Sequence, residues 1–286
     1  MEKINLSAEI RKGLEEWAGE AHSSRFIAFY LALLQIQAEV EAGLVLPEPG
    51  LSKQELEECL RGGSPVFSLD EQELDRTTVN RTFCRIAALF SEYPEVLGTV
   101  PKVFLSADFE LPVELARAWL EGGELPAEIN GEKMNPLLLG SLIQQTLRPF
   151  LIGYGQALAG RYNQDTWLQS RCPVCGSDAE FAYLEKEAGA RWLVCSTCCA
   201  EWRFHRTKCP FCGNADHQTL SYYTGEDGLY RLYLCQKCKG YLKAIDLRKT
   251  TETKLPALEA LTTLAMDRQG QEMGYHRGGS HGEPAG

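Results

Sequence analysis

"CSTCCAEWRFHRTKCPFCG", residues 195–213, carries five of the chain's eleven cysteines, and its reading decides the fold of the second half. Two Cys-x-x-Cys pairs, Cys195/Cys198 and Cys209/Cys212, stand ten residues apart, and two more flank them at Cys172/Cys175 and Cys235/Cys238. One pair can place two thiolates on an ion from a single turn, so a tetrahedral all-sulfur site needs two pairs. Four pairs therefore predict two metal sites. Their pairing could be sequential, nested or crossed.

An internal repeat separates these possibilities. "CPVCG" at 172–176 returns as "CPFCG" at 209–213, and "RWLVC" at 191–195 returns as "RLYLC" at 231–235. Each unit is Cys-Pro-x-Cys-Gly, a hairpin, then Arg-x-x-x-Cys-x-x-Cys, which favours sequential pairing. The gaps within the units are 19 and 22 residues, close to the roughly 15–20 of zinc-ribbon and rubredoxin-like spacings. "FAYLEKEAGARWLVC" and "LSYYTGEDGLYRLYLC" read as the two hairpins, each ending on a cysteine pair. Gly176 and Gly213 supply the positive φ that a turn wrapped around a thiolate needs. On this reading the opening stretch is the seam between two ribbons, and "CAEWRFHRTK" is their connector.

Composition supports metal over disulfide. Hydrophobic residues are 44 % and charged residues 24 % of the 286, ordinary for a globular protein with a core of its own. The longest uninterrupted apolar run, "FIAFYLALL" at 26–34, has nine residues, against about 20 for a membrane span. The charged N-terminus lacks the apolar core of a secretory signal. A cytoplasmic location without membrane insertion is expected, and there paired cysteines are metal ligands or redox groups. The net charge of −10 lies in the first part: before Arg171 there are 14 Lys plus Arg against 25 Asp plus Glu. Between Arg171 and Lys249 the counts are 12 and 9. Eight thiolates around two divalent ions add four negative charges, which argues against nucleic acid as a partner.

The first part reads as helices. Ser52-Lys53-Gln54-Glu55 and Ser68-Leu69-Asp70-Glu71 fit the capping box. Further starts are expected near Ser7 and at Asn135-Pro136, the latter leading a helix with Leu139, Leu142, Ile143, Leu147, Phe150, Leu151, Tyr154 and Leu158 inward. Pro149 should kink it. Residues 23–42 are apolar on too many sides for a surface helix, and about 78–93 should bury Val79, Phe83, Ile86 and Phe90. Helical spacing returns at 255–273, followed by a loose tail. The expected class is α+β: a helical domain (1–165), two tandem rubredoxin-like or zinc-ribbon modules (166–207 and 208–250), and a C-terminal helix with its tail (251–286).

The remaining candidates have plainer readings. Cys199 is beside a ligand but surplus to the count, and with Cys59 and Cys84 it reads as a core residue. His205 is dispensable as a ligand where eight cysteines are available. No Ser-His-Asp set, phosphate loop or spaced carboxylate pair stands out, so no catalytic residue is assigned. Cysteine-only sites are mostly structural because all four positions are filled; electron transfer remains the second reading, and spacing does not choose iron or zinc. A nucleic-acid-binding ribbon and a thiol oxidoreductase are the alternative functions. The latter lacks a cysteine pair at the start of a long helix.

"CPVCGS", "CSTCCAEWRFHRTKCPFCG", "CQKCKGYLK" (235–243) and "LTTLAMDRQGQEMGYHR" (261–277) together resemble the formate dehydrogenase accessory protein family, FdhE. The resemblance implies a cytoplasmic, non-catalytic maturation factor that binds the catalytic subunit of formate dehydrogenase. It also implies iron at rubredoxin-like sites, with Cys172, Cys175, Cys195, Cys198, Cys209, Cys212, Cys235 and Cys238 as ligands. Glu201, Trp202 and Arg206 fall on the family's linker motif, and Tyr241-Leu242-Lys243 on its following strand.

Overall fold

The computed structural model describes residues 3–19, 24–45, 50–69 and 74–278. In chain order its helices are α1 Leu6–Gly19, α2 Arg25–Gly43, α3 Lys53–Arg61, α4 Arg76–Glu92, α5 Pro94–Leu97, α6 Val113–Leu120, α7 Pro136–Leu158, α8 Pro256–Thr262 and α9 Leu264–Glu272. The strands are β1 Glu128–Ile129, β2 Glu132–Lys133, β3 Ala179–Leu184, β4 Arg191–Cys195, β5 Glu201–Phe204, β6 Leu220–Thr224, β7 Tyr230–Cys235, β8 Gly240–Asp246 and β9 His276–Arg277. The class is α+β, with the cysteine ribbons in the C-terminal part. Two compact units divide the chain: 1–49 with 67–157, and 50–66 with 158–286.

Among the described residues the regular structure of the first unit is helical apart from the two-residue ladder of β1 and β2. Asn130 and Gly131 turn that ladder with φ of 51° and 80°, an Asn-Gly hairpin signal that departs from the all-helical expectation. All eight apolar positions expected to face inward on α7 are buried. On α4, Phe83, Ile86 and Phe90 are buried and Val79 is half-buried. The cap of α1 is Asn5, whose Oδ1 accepts from Ala8 N–H at 3.0 Å. Ser7 is instead fully buried, and its hydroxyl donates to Glu41 of α2. Burial pushes the Glu41 carboxyl up, with Ser7 opposing it.

By length and composition α2 could cross a membrane, although its longest unbroken apolar run is short. It carries buried Gln37 and Glu41 and packs against α1 and α4, the pattern of a core helix. Gln37 has a specific task. Pro149 lies inside α7 and has no N–H to give the carbonyl four residues earlier, that of Gln145. Gln37 Nε2 donates to that carbonyl at 3.1 Å, so the helix continues through the proline with the orphaned acceptor satisfied.

The second unit begins out of sequence order. Segment 50–66 belongs to it: Leu56 and Leu60 of α3 are buried, and Val66 N–H donates to Pro173 O at 2.9 Å. The capping box at Ser52 is complete, with Glu55 N–H on the Ser52 hydroxyl and Ser52 N–H on the Glu55 carboxylate. The second box expected, Ser68 to Glu71, runs outside the described residues at Asp70.

Each ribbon is a three-stranded meander, and the two are joined in one seven-stranded sheet of order β5-β4-β3-β8-β7-β6, with β9 beside β8. The join is parallel, Phe181 opposite Lys243 through Leu184 opposite Asp246. The two modules expected to meet at 207/208 thus share one sheet. Glu201–Phe204, expected in the connector, is the third strand of the first ribbon, which leaves His205–Lys208 to link the two.

The C-terminal helices cover one face of this sheet. Ala260 packs with Phe181, Val194 and Ile245, while Met266 and Met273 pack on Leu232, Leu234 and Tyr241. Where one helix over 255–273 is expected, there are two, α8 and α9. Lys243 explains the break: its Nζ takes the Ala260 carbonyl at 2.7 Å and Asp267 Oδ2 at 2.6 Å. The Thr263 hydroxyl also bonds back to Glu259 O at 2.6 Å. Both interactions compete with helical hydrogen bonding at that turn. The tail expected to be loose from Gly274 continues as β9, with His276 N–H on Lys239 O at 2.8 Å; its end from residue 279 lies outside the described residues.

A double-mutant cycle tests the Gln37 contact. Gln37→Leu should cost about 1–3 kcal/mol of unfolding free energy in denaturant titration, because it strands the buried Gln145 carbonyl. In a Pro149→Ala background the restored backbone N–H satisfies that carbonyl, and the cost of Gln37→Leu should fall by at least half. Equal costs in both backgrounds would sink the assignment.

Candidate metal centre

The Cys172/Cys175 and Cys209/Cys212 pairs sit in tight knuckles closed by backbone hydrogen bonds. Gly176 N–H reaches Cys172 O and Gly213 N–H reaches Cys209 O, both at 3.0 Å. The residue after the second cysteine has positive φ in all four knuckles: Gly176 76°, Cys199 55°, Gly213 70° and Lys239 56°. The glycine argument thus extends to two positions where the sequence has no glycine. Cys199 occupies the turn position of its knuckle and is buried. Backbone N–H groups point at the sulfurs, Val174 to Cys172, Thr197 to Cys195 and Phe211 to Cys209, at 3.4–3.5 Å. Such donors favour the thiolate form.

The sulfurs meet in the sequential pairing. Cys172, Cys175, Cys195 and Cys198 form one group, and Cys209, Cys212, Cys235 and Cys238 the other, with all sulfurs of a group within 4.8 Å of one another. In the first group Cys172–Cys198 and Cys175–Cys195 are 3.4 Å apart and Cys175–Cys198 3.5 Å. In the second, Cys209–Cys238 and Cys212–Cys235 are 3.7 Å apart. A disulfide requires about 2.05 Å. Four thiolates about 2.3 Å from one ion stand roughly 3.8 Å apart in a tetrahedron, so both groups fit a divalent ion, zinc or iron, with little movement.

Electrostatics give the same picture. In the first group, hydrogen bonds from Cys172, Cys195 and Cys198 hold the Cys175 thiol well below its ordinary value. Burial, then Cys172, pushes Cys195 and Cys198 well above it. In the second group burial raises Cys209, and raises Cys238 to about 11. Burial opposes ionisation of Cys235 too, but N–H donors from Cys238, Asn214 and Lys237 bring it down to about 7. Four adjacent sulfurs do not all ionise unless a cation compensates them.

The groups differ in exposure. All four cysteines of the first are buried, whereas Cys212 is exposed and Cys238 half-buried. Outside the groups, Cys59 and Cys84 are half-buried rather than core residues, with Cys59 Sγ on Ser64 O at 3.5 Å and Cys84 Sγ on Ser106 O at 3.4 Å. His205 is exposed and belongs to neither group. Trp202 is fully buried, its indole donating to Gln169 O at 3.0 Å. Sequence position alone gives Arg191 no role. It is buried and donates to Lys208 O at 3.1 Å, next to Cys209; the recurrence of arginine in "RWLVC" and "RLYLC" is its signal.

Residues 171–206, which hold the whole first group, match the family description "FdhE, central domain". That segment of the chain is therefore similar to the FdhE central domain. Over 152 residues the chain is 34 % identical to a protein FdhE homolog of Aquifex aeolicus, covering 50 % of this chain and 53 % of that one. Over 149 residues it is 31 % identical to the Pseudomonas aeruginosa protein FdhE homolog, covering 49 % and 46 %. The chain thus spans about half the length of the curated relatives it matches. The crystal structure of the FdhE protein from Pseudomonas aeruginosa superposes with a TM-score of 0.64 at 23 % identity, over 98 % of this chain and 96 % of that one. That likeness shows a shared fold well beyond the matched segment.

Exposure orders the expected metal loss. A chelator should strip one equivalent quickly and the second at least about tenfold more slowly. Cys212→Ser should remove the fast phase and Cys175→Ser the slow one, read by a colorimetric metal indicator. A single phase, or the reverse assignment, would contradict the ordering. Because the raised thiols must give up protons to bind metal, loading should release protons and weaken as pH falls from 8 to 6. Calorimetry in two buffers of different ionisation enthalpy measures that release.

Proposed function

We propose that this chain is a non-catalytic accessory protein of formate dehydrogenase, acting in the cytoplasm on the immature catalytic subunit and holding two metal ions at its four-cysteine groups. The observation that carries the reading is the FdhE central-domain match on the segment that supplies all four sulfurs of the first group. A role outside catalysis is supported by the ligand set: where four protein sulfurs fill a tetrahedral site, no position is left for substrate. The metal is iron by the family resemblance, with zinc as the alternative that the same sulfur geometry accepts. The ions fix the shape of ribbons whose strands are short and whose core is shared, and that shape, with the acidic helical unit, grips the client.

Deletion should abolish formate dehydrogenase activity while the catalytic subunit is still synthesised, and the metal-loaded protein should retain that subunit in a pull-down. Full activity after deletion would reject the proposal. Serine at both Cys195 and Cys198 should cost one metal equivalent and client retention together; retention without that equivalent would separate the metal from the grip. Metal analysis of anaerobically purified protein with its visible spectrum distinguishes coloured iron–thiolate from colourless zinc.

A further inference from the structure

The second ribbon and the segment that leads into it line a half-open cavity of about 490 Å³. That is the size of a small-molecule site. Cross-strand neighbours Tyr222, Tyr233 and Leu242 form part of one wall, and residues 206–211 form another. Among the described residues the charge of the lining has one sign: Arg191, Arg206, Lys208 and Arg231, with His217 beside them and no Asp or Glu. The chain as a whole has 39 acidic residues against 29 basic ones.

These cations are not absorbed by the fold. Among the described residues Arg206 and Lys208 make no ion pair. Arg191 is 3 % exposed, yet its bonds go to the neutral carbonyls of His205 and Lys208, and its Nε has no hydrogen-bond partner. Arg231 alone has a carboxylate, Asp246 at 2.6 Å. Cys209 and Cys235 also line the cavity, and four thiolates on a divalent ion would carry a charge of −2. Three uncompensated cations exceed that, so a positive excess remains with a metal in place. The ring faces are already taken: Arg191 stacks 4.3 Å from the Tyr233 centroid and Arg231 5.0 Å from that of Tyr222. A ligand would therefore be recognised by charge rather than by stacking.

We propose that this cavity binds a multiply charged oxyanion, carboxylate or phosphate, through Arg206 and Lys208 on its exposed side and Arg191 on its buried side. The inference stands apart from the choice of client enzyme. The same chemistry can arrive on a free small anion or on acidic side chains of a protein segment.

The test is calorimetric titration of the full, metal-loaded chain with pyrophosphate, with citrate, and with a glutamate-rich decapeptide. Saturable binding of at least one probe is expected, weakening with added salt. It should weaken about tenfold in the Arg206→Ala/Lys208→Ala double variant, which should keep both metal equivalents because Arg206 is exposed, Lys208 is half-buried and neither belongs to a cysteine group. Saturation by pyrophosphate or citrate identifies a free anion as the ligand, and saturation by the peptide alone identifies a protein segment. The proposal is overturned if no probe saturates, or if binding survives the double substitution. It is equally overturned if the double variant loses metal from the second group while the unsubstituted chain gives flat titrations, since the cations would then serve only to neutralise the thiolates.

Discussion

Four sulfurs must arrive at one point, twice, and most of the second unit can be derived from that requirement. A Cys-x-x-Cys knuckle holds its two sulfurs together only if the backbone reverses just after the second cysteine, which is why positive φ recurs at Gly176, Cys199, Gly213 and Lys239. The reversal turns backbone N–H groups onto the sulfurs and draws them toward ionisation, while burial and mutual repulsion oppose it. The compromise is visible at Cys235, where N–H donors from Cys238, Asn214 and Lys237 outweigh burial, while in the first group burial pushes Cys195 and Cys198 up. A cation removes that conflict, and in small ribbons its binding free energy, on the order of 10 kcal/mol, becomes folding free energy.

Around these clusters the fold resolves a second class of constraint, buried polar groups that need partners. Gln37 meets the carbonyl that Pro149 leaves open, and Lys243 takes the Ala260 carbonyl. Burial lowers Lys243, and Asp267 works to keep its charge. The consequences for the two helices differ. Compensation by Gln37 lets α7 run on through a proline, whereas capture of the Ala260 carbonyl helps to end α8 and turn α9. In α9 the approach is so close that a Cβ on Gly270 would stand 2.8 Å from Tyr241, so a glycine is required there by packing.

Much of this is legible in the sequence, and what is not has a physical reason. The cysteine repeat gives sequential pairing, and the apolar spacing of α7 gives its buried face, because both depend on local periodicity. The parallel pairing of β3 with β8 cannot be read: it joins residues about 60 apart in sequence by backbone hydrogen bonds, which leave no side-chain signature. Segment 50–66 reads by continuity as helical-domain sequence, yet α3 packs in the other unit through Leu56 and Leu60. Cys199 reads as a spare core thiol as long as the positive-φ position is sought only where glycine stands. The split of the C-terminal helix is hidden because the residue responsible, Lys243, lies on a strand.

The two cysteine groups come from one repeat but differ in their cover. The first knuckle is overlaid by the 50–66 segment: Val66 bonds to Pro173 O, and a Cβ on Gly176 would be 3.3 Å from Pro65. A Cβ on Gly213, the repeat-equivalent position, would meet no atom of the described residues beyond its chain neighbours within 4 Å. Cover therefore comes from a stretch outside the repeat, and removing it would expose the first group as Cys212 is exposed in the second. The two arginines of the repeat differ as well. Arg231 found a carboxylate in Asp246, whereas Arg191 reaches across to the backbone leading into the second cluster. One repeated sequence pattern thus holds a sheltered cluster and an open one, with a buried cation from the first ribbon set against the cysteines of the second.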